Sequence, residues 1–326
     1  MAGELWRSTF QFGKETTAGT PVAATRKMYF TADSKLARTR DPRAHRFQVA
    51  RRTNQLAHTL GPEMVTGTLK QPLSANEAIE LLLATLAGGV TPTGAGTTKL
   101  WTFAPGNTLD PLTVEWDDGA RPWQATGVYG SSLKISGSVK DMTMLEVGVM
   151  GLGMVQNALT GSLTDRVPTF IEGWETVLYV DAFGGTAGTT AVNAALVNWS
   201  VELNNKMEHE HFAQNDVNAG VITLGEVECK AKLTIRADPS FALTEYGNWD
   251  AGTKRLVQLK FGNNVVVDGA DKEFVKVNLP GAWSAVDLGG SNQNSRMYEL
   301  SLDYVYDVTN GYGLQIIAQN ARATAY

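Results

Sequence analysis

Apolar and polar residues alternate with a period of two along most of this chain. Leu133-Lys-Ile135-Ser-Gly-Ser-Val139-Lys and Leu145-Glu-Val147-Gly-Val149-Met-Gly are two such runs. Val201-Glu-Leu203, Val227 to Ile235, Leu256 to Phe261, Phe274 to Val277, Met297 to Tyr304 and Leu314 to Ile317 follow the same rule. Successive side chains of a strand point to opposite faces, so each run predicts a strand with one face buried. Only Ser74 to Leu86 changes period. Ala78, Ile79, Leu82, Leu83 and Leu86 form one helical stripe there. Ser74 and Glu77 have capping-box spacing, and Gly88-Gly89 supplies a stop. The pattern predicts a helix over 74–86 with its stripe against a sheet, in a mainly β, β-rich α+β chain.

The stretch Lys206-Met-Glu-His-Glu-His-Phe212 belongs to the alternating set. On a strand, Met207, His209 and His211 share one side and Glu208, Glu210 and Phe212 the other. Two histidines at i and i+2 can ligate a metal when a third ligand arrives from elsewhere. The other histidines are His45 and His58, and no cysteine pair helps. A metallohydrolase built on His209 and His211 is therefore the weakest of the readings.

The two halves echo each other. Met28-Tyr29-Phe30 matches Leu178-Tyr179-Val180, His45-Arg46-Phe47 matches Glu210-His211-Phe212, and Gly61 to Leu69 matches Gly225 to Leu233 with equal spacing. Helix 74–86 then stands opposite a shorter candidate at 239–246, and Leu100 to Phe103 opposite Leu256 to Phe261. With 326 residues, this order predicts two tandem domains, 1–165 and 166–326.

Composition narrows the classes. A chain with 43% hydrophobic and 19% charged residues buries a core rather than staying disordered. One cysteine, Cys229, excludes an intrachain disulfide and a Cys-based zinc site. The first residues, MAGELWRSTFQFGKE, contain no apolar run of signal-peptide type. The longest apolar stretch, 78–87, falls short of the ~20 residues that span a bilayer. The expectation is synthesis in a reducing cytoplasm and no membrane partner.

Charge is uneven. Residues 26–58 carry nine cations against Asp33 and Asp41, a balance of +7, which leaves −12 for the rest of a chain totalling −5. The cationic Asp41-Pro-Arg-Ala-His-Arg-Phe47 is repeated as an anionic element with Glu202, Glu208 and Glu210. Opposite charge on two copies of one element suits surfaces that meet. Arg38, Arg40, Arg43, Arg46, Arg51, Arg52, Glu202, Glu208 and Glu210 are the candidate contacts between subunits; the plain alternative is a solvated basic loop. The only aromatics in 26–58 are Tyr29, Phe30 and Phe47, a poor nucleic-acid surface.

No catalytic signature is present. G-x-S-x-G, H-E-x-x-H and G-x-x-x-x-G-K-[ST] are missing, and Gly151-Leu-Gly153 lacks the third glycine of a dinucleotide fingerprint. Asp117-Asp118-Gly119 reads as turn chemistry. No cofactor is expected, and the chain reads as not an enzyme.

Phe12-Gly-Lys-Glu-Thr-Thr-Ala-Gly-Thr-Pro21 resembles the N-terminal signature of tail tube proteins of long-tailed, non-contractile bacteriophages. Pro111 to Trp116, Gly127-Val-Tyr-Gly130, Leu133 to Gly137 and Leu145 to Gly151 are similar too. The resemblance implies β-sandwich or split-barrel domains, each with a flanking helix, forming stacked rings around a lumen for DNA. It implies hexameric rings for one-domain members and trimeric, pseudo-sixfold rings for two-domain members, which the repeat favours. Its implied partners are further copies, then the tape measure, tail tip and tail terminator proteins, in a virion tail. The rivals are another phage part (tail terminator, head–tail joining or decoration protein) and a carbohydrate-binding or adhesion module exposing Trp101, Trp116, Trp123 or Trp283. Those tryptophans read better as core or interface packing.

Overall fold

The computed structural model describes residues 7–192, 196–237, 239–292 and 295–324. The chain is β-rich, with open antiparallel sheets and two α-helices. Alternation sets the faces as the sequence predicts. In Glu228–Arg236, Cys229, Ala231, Leu233 and Ile235 are buried while Lys230 and Lys232 are exposed.

One pairing diagram occurs twice. In the first half, Arg26–Met28, Thr9–Lys14, Leu112–Asp117, the start of Pro122–Ser138 and Gly153–Gln156 pair in that order. The end of Pro122–Ser138 then leaves that sheet and pairs with Met144–Gly151, followed by Gln55–Pro72 and Lys35–Arg46. In the second half, Ala191–Val192, Thr176–Ala182, Lys254–Asp268, the start of Asp271–Asn292 and Gln315–Asn320 form the first sheet. The end of Asp271–Asn292 leaves it to pair with Ser295–Tyr304, Glu228–Arg236 and Leu196–Asn204. Both bent strands carry a register shift at the crossing, between Gly130 and Ser132 and between Trp283 and Ala285. Bulges sharpen local twist and let one strand serve two sheets.

This diagram corrects two sequence pairings. The counterpart of Thr176–Ala182 is Thr9–Lys14, so Met28-Tyr29-Phe30 does not match Leu178-Tyr179-Val180. The counterpart of Lys254–Asp268 is Leu112–Asp117. Lys99–Ala104 is an addition that pairs across the halves with Gln315–Asn320. Apolar content alone could not separate strands of equal length and similar composition.

The helix α1 (Ile79–Thr85) is shorter than predicted, and all seven residues are buried. Ser74 Oγ accepts from Glu77 N at 3.3 Å, half of the expected box. The other half fails because the Glu77 carboxylate goes to Arg26 Nη2 at 3.1 Å and Arg166 Nη2 at 2.8 Å. A one-sided stripe also fails, because the far side is closed by the end of the chain. Asn320 Nδ2 donates to Ala75 O at 2.7 Å, and Arg322 Nη1 lies 2.6 Å from Glu80 Oε1. Helix α2 (Pro239–Asp250) is longer than α1, against the prediction of a shorter element. Buried Glu245 anchors it to Arg255 Nη2 at 3.0 Å and Trp283 Nε1 at 2.7 Å.

Candidate functional site

The two halves join strand to strand. Ser132–Ser138 of the first bent strand pairs with Asn198–Asn204, Leu133 opposite Leu203 and Ile135 opposite Val201. All four side chains are buried. On the other face, Lys134 Nζ lies 2.6 Å from Glu202 Oε1, and this contact holds the Glu202 carboxyl below the usual range. One continuous sheet results: Lys35–Arg46, Gln55–Pro72, Met144–Gly151, the end of Pro122–Ser138, Leu196–Asn204, Glu228–Arg236, Ser295–Tyr304 and the end of Asp271–Asn292.

Its two outer edges are open among the described residues. Lys35–Arg46 pairs only with Gln55–Pro72, and residues 283–292 pair only with Ser295–Tyr304. Unpaired edges expose rows of N–H and C=O groups that template further pairing.

Beyond the joint, residues 205–224 form a strap over the first half. Asn205 Nδ2 donates to Thr85 O and Gly130 O, both at 2.9 Å. Lys206 turns the chain with φ 44°, and Glu208–Glu210 pairs with Val221–Thr223. His209 Nε2 donates to Gly151 O at 3.0 Å and His211 Nε2 to Glu63 O at 2.9 Å. Glu63 N donates to Val217 O at 2.7 Å, and Ala219 N to Leu152 O at 3.2 Å. The predicted alternation holds: Met207 is buried, the histidines are half-buried, and Glu208, Glu210 and Phe212 are exposed.

A family model for the phage tail tube protein matches residues 6–310, all of the first copy of the diagram and all of the second but Gln315–Asn320. This chain belongs to the phage tail tube protein family. It is a structural component of a phage tail. No curated protein matches it. Among the described residues, no helix is long and apolar enough to cross a membrane.

In this tail tube chain, the predicted contact residues divide into two sets. Arg38 Nε lies 2.6 Å from buried Glu63, Arg40 Nε donates to Gly61 O at 2.9 Å, and Glu202 is held by Lys134. Those three are committed within the chain. Arg43, Arg46, Arg51, Arg52, Glu208 and Glu210 are exposed. The structure does not bring the cationic and anionic sets together in one chain. The histidines serve as donors to backbone carbonyls, and no group of three metal-ligating side chains occurs among the described residues. Trp101 and Trp283 are buried, and Trp116 stacks on Phe10 at 5.7 Å between centroids.

Two features escaped the sequence reading. The edge at 283–292 carries a single charge, Asp287, and no sustained alternation of apolar and polar residues. The Ala-Gly-Thr triplet occurs four times, at 18–20, 95–97, 187–189 and 251–253, and at 18–20 and 187–189 it stands at matching places in the two repeats. Both glycines have positive φ, 81° at Gly19 and 84° at Gly188, and both N–H groups donate to a carboxylate at 2.8 Å, Glu15 and Asp181. The triplet alone does not single out these two places, because Gly96 and Gly252 of the other two copies also have positive φ; the carboxylate contact does.

The strap gives a pH prediction. Burial first, then neighbouring His211, lowers the His209 pKa below its ordinary 6.5. A base whose folded pKa is depressed stabilises fully above its unfolded pKa and loses that contribution as pH falls through the folded one. The strap amides at Ala219 and Gly220 should therefore exchange hydrogen faster, after correction for intrinsic rates, once pH drops below about 6.5. The His209→Gln chain should show no such step. A pH-independent protection factor in the native chain would contradict the assignment.

Proposed function

We propose that three copies close into a ring with pseudo-sixfold symmetry, and that such rings stack into the hollow tube through which phage DNA passes. On this reading the chain is two tandem domains, 1–165 and 166–326, and each takes the place of one subunit of a six-membered ring. The supporting observation is the in-chain joint. It links the open edge of one four-stranded sheet to the next, and it leaves the same two kinds of edge unused at the ends.

The repeat sets the register of the missing joint. Val147 and Leu300 are equivalent, so Leu133 corresponds to Val286 and Lys134 to Asp287. On the other edge Val65 and Cys229 are equivalent, so Leu203 corresponds to Arg38 and Glu202 to Ala37. The in-chain pair Lys134–Glu202 thus becomes Asp287–Ala37 between copies. Asp287 then lies diagonal to Lys35, close enough for an exposed charge pair. Six joints of one kind close the ring, three within chains and three between them. The net charge of −5 suits a lumen past which DNA slides, since like charge avoids phosphate-neutralising contacts. The tape measure, tail tip and tail terminator proteins are the further partners on this reading.

The variant Ala37→Cys/Asp287→Cys tests it with a short bis-maleimide linker. Native Cys229 should not compete, because it is buried and its thiol is pushed up to about 12. Denaturing gels should show a ladder of dimer and trimer that stops there, with tubes visible by negative-stain microscopy. A ladder running beyond three copies would exclude the trimer. Tubes without any cross-link would exclude the edge pairing.

A further inference from the structure

The first half owns an element with the same origin as the strap, and it makes a different contact. Counting from the equivalent Leu36 and Val201, the positions run without a gap: Asp41 matches Lys206, Ala44 matches His209, Arg46 matches His211 and Phe47 matches Phe212. The strap turns away at Lys206, and the first-half hairpin shifts register at the matching place, between Arg40 and Pro42. Beyond it, residues 41–58 project as an arm. Phe47 is 53% exposed and Leu56 57%, and Arg43, Arg46, Arg51 and Arg52 surround them.

The surface under the strap also has its counterpart. Gly151 is equivalent to Tyr304, Leu152 to Val305 and Glu63 to Val227. Leu152 N donates to Thr126 O and Val305 N to Pro280 O, each at 2.9 Å, so the backbone there repeats as well. In the second half, this place is a groove of about 260 Å³, lined by Val227, Tyr304, Tyr306, Tyr312 and Leu314 among others.

We propose that the arm, residues 41–58, seats in the Tyr304–Tyr306–Tyr312 groove of a second copy of this chain, repeating between copies the contact that the strap makes within one. The inference rests on the ring reading, because pairing Lys35–Arg46 with the neighbour's 283–292 edge is what carries the arm across that neighbour's strand ends. Three observations name the occupant. The homologous segment occupies the homologous surface in the same chain. The arm joins exposed apolar side chains to arginines, and the groove offers aromatic and aliphatic walls that suit both. Arginine over a tyrosine face and phenylalanine in an apolar groove are both favourable. A hairpin left with this much exposed apolar surface is otherwise an aggregation hazard.

The test places benzoylphenylalanine at Phe47 in the Ala37→Cys/Asp287→Cys chain and mixes ¹⁴N- and ¹⁵N-labelled copies. After assembly and irradiation, mixed-isotope peptides should map to 226–229 or 304–314. Adducts outside 226–229 and 304–314, with the maleimide bridge intact, would mean that the arm seats elsewhere; the groove inference then falls and the ring reading stands. Loss of the bridge and of the adduct together overturns both. As a second readout, Tyr306→Ser changes a side chain that is 57% exposed, so folding is spared. It should raise the concentration needed for ring formation about tenfold, as loss of an interface anchor does. An unchanged concentration would also overturn the groove.

Discussion

Replacing Arg26 with methionine is expected to cost about 3 kcal/mol of stability, the low end for breaking a buried ion pair from one side. Its guanidinium lies 3.1 Å from Glu77 Oε1 and 3.3 Å from Glu80 Oε1, and it donates to Asn76 O at 3.0 Å. Both carboxylates are almost fully buried, so water cannot take over when the cation leaves. The low end applies because Arg166 still reaches Glu77 and Arg322 still reaches Glu80. Urea unfolding followed by tryptophan fluorescence, at concentrations below assembly, measures it. A loss under 1 kcal/mol would show that the two remaining arginines suffice.

A second large effect is expected at Trp101. The indole is fully buried in Lys99–Ala104, the strand that ties the halves together through Gln315–Asn320. Trp101→Ala should cost about 3–5 kcal/mol through lost burial and the cavity left behind. Its Nε1 also donates to Asn320 Oδ1 at 3.0 Å, and the Asn320 amide donates to Ala75 O beside α1. Trp101→Phe keeps most of the volume and an aromatic face for Arg322, 5.4 Å from the indole ring, and loses that hydrogen bond with a small part of the packing, so about 1–2 kcal/mol is expected. Asn320 Oδ1 keeps a second donor in the Arg322 N–H at 2.9 Å. Hydrogen exchange should show residues 315–320 losing protection in the alanine variant and keeping it in the phenylalanine one. Equal losses in both would assign the effect to the hydrogen bond and not to packing.

Much of the fold was legible because strand alternation is a local signal. Leu133–Ile135, Leu145–Val149 and Cys229–Ile235 turn inward as their spacing requires. The match of Gly61–Leu69 with Gly225–Leu233 survives because both strands face the same partner in the sheet. The mistaken pairings at 28–30 and 100–103 involve short strands whose identity depends on distant neighbours, which no local pattern encodes. The helix start at Ile79 was illegible for the same reason. It is decided by Arg26 and Arg166, remote in sequence, competing for the Glu77 carboxylate. For the candidate site, charge drew attention to the arm and strap, yet Arg38 and Glu202 are neutralised at home. The edge at 283–292, with Asp287 as its one charge, gave no such signal, because edge pairing is made by backbone groups that every residue carries.

The closure of α1 by the end of the chain has a temporal consequence. Glu80 and Arg322 are 242 positions apart, and Ala75 and Asn320 are 245 apart. On the ribosome, the apolar helix is made well before Asn320 and Arg322, which cover it. Contacts of such long sequence separation form slowly. During that interval Ile79 to Leu83 must be shielded by the nascent first half alone, or by a chaperone. A product lacking Gln315–Asn320 and Arg322 would leave this helix uncovered while still presenting the Lys35–Arg46 edge. Such fragments should coaggregate.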